Sequence, residues 1–333
     1  VKPVALLTIN GRDVSSAIFG EGGILISLTI TDQAGTKSDT LELEIDDREG
    51  FTAPPKGAEV QAWLGYEPTP VYMGRFTVDE WTKAGPVRTL RVSAKAAEMT
   101  STIRAAKTKS WDGKTVGDIA REIAGEHGLQ AVVAESVAGL SIAHIDQQNE
   151  SDLGFLSRLA RRAGATFKLG DGQVVLSERG AMSTLPSGKE KPTIRLTPDM
   201  VGEWSATTAE RGDYKAVVCT YMDHAAGRRV SVTEGEGTPK HRDRRLYASE
   251  AEAKAAARAQ LGDLTRGKIT FETSGTGLPD VFAEAKIDAQ DFDPDVDGEF
   301  LIKSVTHSFT SGGYTTSISM ETGGEGDEEG EGD

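Results

Sequence analysis

In the stretch DTLELEIDD, Leu41, Leu43 and Ile45 alternate with Glu42, Glu44 and Asp46. Successive side chains of a strand point to opposite faces, so this run buries one face and wets the other. AEVQAWLGY, GRFTVDEW and RTLRVSAKAA repeat the pattern, and the turn-forming stretches TINGRD, TAPPKG, YEPTP and KAGP separate them. Short strands with turns at this spacing predict a small barrel or sandwich over residues 1–104.

The period changes near residue 111. Val116, Ile119, Ala120, Ile123 and Ala124 fall on one helical face of WDGKTVGDIAREIAGEHGL. Thr115 is placed to cap that helix, Asp118 to favour its positive end, and Gly128 to stop it. LQAVVA follows as a strand. The stretch QQNESDLGFLSRLARRAGATFKLGDGQVVL repeats the plan. Asn149 is its expected N-cap, Leu153, Leu156, Leu159, Ala160 and Ala163 its buried stripe, and Gly164 its stop. Arg158, Arg161 and Arg162 face elsewhere. ATFKL and QVVLS flank the turn GDG as a hairpin. Residues 105–190 therefore read as a small α+β domain with two helices and about three strands.

Strand texture returns over residues 191–322, in KPTIRLTP, KAVVCTYM, RRVSVTEG, GEFLIKSVTHSF and GGYTTSISME. One helix, near 249–265, interrupts it, with Ser249 and Glu252 at capping-box spacing. Residues 323–333 are only glycine and acid, a composition that buries nothing and predicts a flexible tail. The fold class is α+β, mainly β. Residues 1–104 and 191–322 have the texture of two copies of one barrel, but no clear internal repeat is visible.

Chemistry is scarce. The five histidines, His127, His144, His224, His241 and His307, fall in no metal-binding pattern. His127 reads as a helix-end group and His307 as a hydrogen-bonded sheet residue. DPDVDGEF resembles half a calcium loop, yet its twelfth position is Ser304 where glutamate is needed, so a solvated turn is expected. GEGTPKHRDRRLY lacks a phosphate-loop step and reads as a flexible loop; Lys240, Arg242, Arg244 and Arg245 are its candidates for contact with an acidic neighbour. The lone cysteine, Cys219, lies in an apolar strand and reads as core. A single thiol makes no internal disulfide, which fits folding in a reducing cytosol. No serine-nucleophile elbow occurs, and no motif selects two carboxylates. No catalytic residue, cofactor or metal ligand is assigned. No apolar run approaches the ~20 residues needed to span a membrane. The net charge of −15 disfavours general nucleic-acid binding.

Six phrases carry a resemblance: LTITDQAGTKSDTLELEIDD, PPKGAEVQAWLGY, MGRFTVDEWTKAGP, KSWDGKTVGDIAREIAGEHGL, QQNESDLGFLSRLARRAGATF and IKSVTHSFTSGGYTTSISME. Ordered over residues 3–322, they resemble the phage late control gene D family, the baseplate or tail hub proteins of contractile-tailed phages. The resemblance implies two related tube-type β-barrels joined by small α/β elements. It implies a homotrimeric ring of pseudo-sixfold symmetry between a hexameric tail tube protein and a trimeric central spike protein, with baseplate wedge proteins around it. DNA would cross its lumen without specific binding, and an acidic lumen would repel phosphate. Arg158, Arg161 and Arg162 become candidate contacts to neighbours. The expected place is the virion tail baseplate, after synthesis in the host bacterial cytoplasm. The alternatives are a hub-associated cell-wall hydrolase using paired carboxylates and the hub part of a type VI secretion spike. The absence of a needle region after residue 322 predicts that the spike is a separate polypeptide.

Overall fold

A computed structural model of the chain describes residues 2–20, 22–35, 38–96, 102–170, 172–178, 193–208, 214–223, 226–265 and 269–322. The acidic stretch 323–333 and His224 lie outside the described residues. The first segment holds β1 (Pro3–Ile9), β2 (Arg12–Asp13), α1 (Ser15–Phe19), β3 (Leu25–Gln33), β4 (Thr40–Asp46), β5 (Glu59–Tyr66), β6 (Val71–Ala84) and β7 (Thr89–Ala96). Next come β8 (Ala106–Thr115), α2 (Val116–Glu126), β9 (Gln130–Val133), α3 (Glu135–Ala138), β10 (Ser141–Ser151), α4 (Asp152–Arg162), β11 (Ala165–Gly170) and β12 (Gln173–Glu178). The last segment holds β13 (Ile194–Leu196), β14 (Glu203–Thr208), β15 (Ala216–Asp223), β16 (Arg228–Gly235), β17 (Lys240–Tyr247), α5 (Glu250–Thr265), β18 (Ile269–Thr276), β19 (Lys286–Ala289), β20 (Gly298–Thr310) and β21 (Gly313–Thr322).

The alternation in β4 does what its period requires. Leu41, Leu43 and Ile45 are buried, and all six long strands of the first segment send alternate residues into one core with them. A second core joins Trp111, the apolar face of α2 and the stripe of α4. Thr115 and Asp118 form a reciprocal capping box at the start of α2. The cap of α4 differs from expectation. Ser151, not Asn149, accepts from the Gly154 amide at 3.1 Å, and Asn149 stands two residues earlier with a positive φ of 47°. A serine hydroxyl caps as well as an asparagine amide, so composition could not choose between them. This part also carries five strands in two small sheets and the extra short helix α3.

The last segment contains two cores. One, around Phe271, Phe300, Ile318 and Met320, is enclosed by β13, β14 and β18–β21. The other lies between α5 and the separate sheet β16-β15-β17, and holds Val217, Cys219, Tyr247 and Ala257. The expected loop around Lys240 is in fact strand β17, paired parallel to β15. KHRDRRLY hides this because only Tyr247 in β17 is buried.

The first and last segments share one strand order. In space the first runs β3-β4-β7-β6-β5-β1 and the last β14-β18-β21-β20-β19-β13. Numbered along the chain with β2 and β15–β17 set aside, both are second, third, sixth, fifth, fourth, first. Registers agree as well. Val78 pairs Ala94 and a bulge follows before Glu80 pairs Ser93; Ile302 pairs Met320 and a bulge follows before Ser304 pairs Ser319. That frame superposes GRFTVDEWT (74–82) on GEFLIKSVT (298–306), with Gly, Phe and Thr identical. Gly74 and Gly298 both take positive φ, 125° and 145°, and Phe76 and Phe300 are both buried. So an internal repeat does exist. It is spread over too few identities to show in the sequence alone. One difference remains: β1 meets β5 antiparallel, whereas β13 meets β19 parallel.

The halves join through β20. Its start pairs with β19, and Ser304–Thr310 then pairs antiparallel with β3, Thr306 opposite Thr31 and His307 opposite Ile30. The two threonine hydroxyl oxygens stand 3.5 Å apart. His307 is buried at this seam. Its Nε2 faces the Val281 carbonyl at 3.1 Å, so that nitrogen carries the proton, and Nδ1 accepts from the Tyr314 hydroxyl at 2.8 Å. Burial pushes the imidazole down from 6.5 to about 4. Between those values the unfolded chain binds a proton that the folded chain refuses, so stability falls as pH drops from 6.5 toward 4, by up to ~3 kcal/mol. His307→Gln should flatten the pH dependence of the urea midpoint over that window relative to the parent protein.

Candidate assembly surfaces

Eight strands, β14-β18-β21-β20-β3-β4-β7-β6, form one continuous sheet across both halves. One face covers the two cores. The other alternates out of phase and is built from short polar groups: Ser27, Thr29 and Thr31 on β3, Ser304, Thr306 and Ser308 on β20, Ser317 and Ser319 on β21, Ser274 on β18. Its charged groups are chiefly acids, with Glu42, Glu44, Glu80, Glu203 and Glu272 among them. The bases Arg91 and Lys95 are ion-paired, to Glu44 at 3.0 Å and to Asp79 at 2.5 Å. A face of hydroxyls and carboxylates offers a polyanion nothing to hold.

The eight-strand run ends on two open edges. Among the described residues β14 pairs only with β18, and β6 beyond Val78 pairs only with β7. Each edge carries an exposed tryptophan, Trp81 at 43% and Trp204 at 42%. Natural edge strands are usually guarded by charge, proline or a cover, because bare backbone recruits another strand.

The basic candidates are distributed differently from one another. Arg158 is held by Glu150 at 2.6 Å and by the Asp146 carbonyl at 2.7 Å. Arg162 is ion-paired with Glu252, which ties α4 to α5. Arg161 is exposed. Lys240, Arg242, Arg244 and Arg245 are all exposed along β17, and Arg228 and Arg229 are exposed on β16 of the same small sheet.

Other titratable groups serve the architecture. Glu126, His127 and Asp152 lie within reach of one another, with His127 Nε2 2.7 Å from Asp152. Lys107 enters the same cluster at 2.5 Å from Glu126 and 2.9 Å from Asp152, so an ammonium already occupies the cation position. In the DPDVDGEF turn, the Asp297 and Asp293 carboxylates accept from the amides of Phe292 and Asp295. The Cys219 thiol is pushed up to about 11, first by burial and then by the Asp243 carboxylate, which makes it a poor nucleophile.

Sequence reasoning missed the junction of all three segments. Lys168, on β11, is mostly buried, its side chain 16% exposed, with Nζ 2.5 Å from Asp32 and 3.3 Å from Asp39. The other oxygen of Asp32 accepts from the Ala283 amide at 2.8 Å, so one carboxylate links β3, β11 and the approach to β19. Burial alone would push the lysine down, but the two carboxylates hold it above its usual range. Burial and the neighbouring Asp32 raise Asp39 to about 7. No local pattern joins residues 32, 39, 168 and 283, so sequence spacing gave no signal.

A β scaffold whose halves share one strand order, with two open strand edges and an exposed basic sheet, has the surfaces of an assembly protein. Residues 72–313 match the family described as phage tail baseplate hub (GPD). The probable baseplate hub protein of Escherichia phage 186 is 31% identical over 364 residues, covering 96% of this chain and 92% of that protein. The tail protein from Neisseria meningitidis MC58 shares the fold, with a TM-score of 0.72 at 14% identity over 97% of each chain. An Escherichia coli type VI secretion component does so at 0.58 and 14% identity, over 94% of this chain and 76% of that one. The chain belongs to the phage tail baseplate hub family and is a structural component of the virion baseplate. No described helix is long and apolar enough to cross a membrane.

Removing this mostly buried lysine leaves two acids without their cation, which costs up to about 3–5 kcal/mol. Lys168→Met should lower the urea midpoint accordingly, and adding Asp32→Asn with Asp39→Asn should recover part of the loss.

Proposed function

We propose that three copies of this chain form a ring joining the hexameric tail tube to the trimeric central spike, with a DNA channel through it. The observation that carries this reading is the repeat in register. Two like halves per chain give three chains six near-equivalent faces, so one polypeptide can meet a sixfold tube on one side and a threefold spike on the other. On this reading residues 1–104 and 191–322 are two tube-type barrels. The strands β15–β17 with α5 are an outgrowth of the second, and residues 105–190 are a rigid support.

The polar face of the eight-strand sheet suits the lumen. Its acids repel phosphate, and its hydroxyls give a passing duplex no apolar grip. The exposed cations Arg161, Lys240, Arg242, Arg244 and Arg245 suit the outer contacts, to wedge proteins or another acidic neighbour. Arg158 and Arg162 contribute indirectly, by fixing α4 within its own chain. The role is non-enzymatic, and the protein is made in the host cytoplasm before joining the virion.

Native mass spectrometry of the protein co-expressed with the tube and spike proteins of its own particle should give three hub chains per three spike chains. Electron microscopy of that complex should show an open central pore. A complex with one or two hub chains, or a closed centre, would overturn the reading.

A further inference from the structure

The repeat also fixes how neighbouring chains would meet, which rests on the ring reading above. Superposing the halves in the frame of their common bulge matches β6 to β20 and β14 to β3. The β20–β3 seam lies inside the chain. Its counterparts, the free parts of β6 and β14, are the two open edges described above.

The match can be followed residue by residue. Thr82 stands where Thr306 stands, because each is the fourth residue after the last pair before the bulge, Val78 or Ile302. Thr207 stands where Thr31 stands, because each faces the threonine just before the residue that pairs with Met320 or Ala94, the partners of Ile302 and Val78: Thr270 before Phe271, Thr40 before Leu41. The internal seam puts Thr306 opposite Thr31 with their oxygens 3.5 Å apart. Both free edges therefore keep the threonine that their counterpart uses at the seam.

We infer that β6 of one copy pairs antiparallel with β14 of the next, in the register of the internal seam, with Thr82 opposite Thr207. The partner is a second copy of this chain. Main-chain hydrogen bonds supply the attachment, as in other cases of strand addition to an exposed edge. Register follows from side-chain alternation. A one-residue slip would set Lys83, on the core side of β6, opposite Thr207 of the polar face. In the inferred register Trp81 faces Thr208, and Trp204 falls beside Gly85. Both half-exposed indoles then lie on the core side of the joint, where the internal seam holds Val305 and Leu28. Closure leaves neither of these two edges open, and the polar face becomes continuous around the ring.

Cysteine pairs test the register in the complete complex with tube and spike proteins. Thr82→Cys with Thr207→Cys places the two Cα atoms at the separation of a directly opposed antiparallel pair, which a disulfide spans. Thr82→Cys with Glu203→Cys is the off-register control, and Thr31→Cys with Thr306→Cys is the internal reference that must close within one chain. Mild oxidation should move the first variant to a three-chain band on a non-reducing gel and leave the control as single chains. A three-chain ring by mass, with no link in the first variant or equal linking in the control, would overturn the register and leave the hub reading standing. Absence of any three-chain complex would overturn both.

Discussion

The antiparallel seam between β20 and β3 is the constraint on which the rest of the molecule depends. It joins two halves that each have their own core, and does so through backbone hydrogen bonds and not through a linker. Because β20 is longer than its partner β19, its second part is left to receive β3. The seam sets the halves in phase, so inward positions of one continue those of the other. A single polar face across eight strands follows from that phase. Lys168 and Asp32 lock the same seam from behind, with Asp32 opposite Val305 one pair from its end.

Two halves alike in backbone have diverged in what they carry. The first has six residues between β3 and β4, while the second places β15–β17 and α5 between β14 and β18. That outgrowth brings the exposed arginines of β16 and β17 to a protein of net charge −15. In the proposed ring, contacts between chains would need sameness between the halves, whereas contacts to other components would need difference. The chain keeps sameness in its strands and puts difference in its insertions. Its relation to solved tail proteins fits, since the fold persists there at 14% identity.

Much of this was legible in the sequence where one residue type has one cheap solution. The cap at Thr115, the burial of Leu156, Leu159 and Ala160 on α4, the glycine stops and the burial of Cys219 follow from local chemistry, whereas the buried Phe155 was missed and Leu153 and Ala163 are only partly buried. The basic strand β17 was not legible, because an edge strand that buries little lacks the hydrophobic alternation that signals a strand. The repeat escaped for another reason. A strand core asks only for apolar bulk at alternate positions, so Val78 and Ile302, or Leu41 and Phe271, serve equally and identity decays. What persisted was geometry that side-chain substitution cannot replace, namely a glycine at positive φ and the bulge after it. The Lys168 cluster was beyond reach, since charge pairing over more than a hundred residues leaves no periodic trace.

The bulges at Asp79 and Lys303 carry one more consequence. An extra residue in a strand resets which side chains point up and which point down for everything after it. Loss of either residue would leave the fold's strand count unchanged yet invert the rest of that strand, turning a tryptophan or a histidine onto the polar face and hydroxyls into the packing. Length variation among relatives of this chain should therefore accumulate in hairpin tips and in the outgrowth, and stop at these two positions.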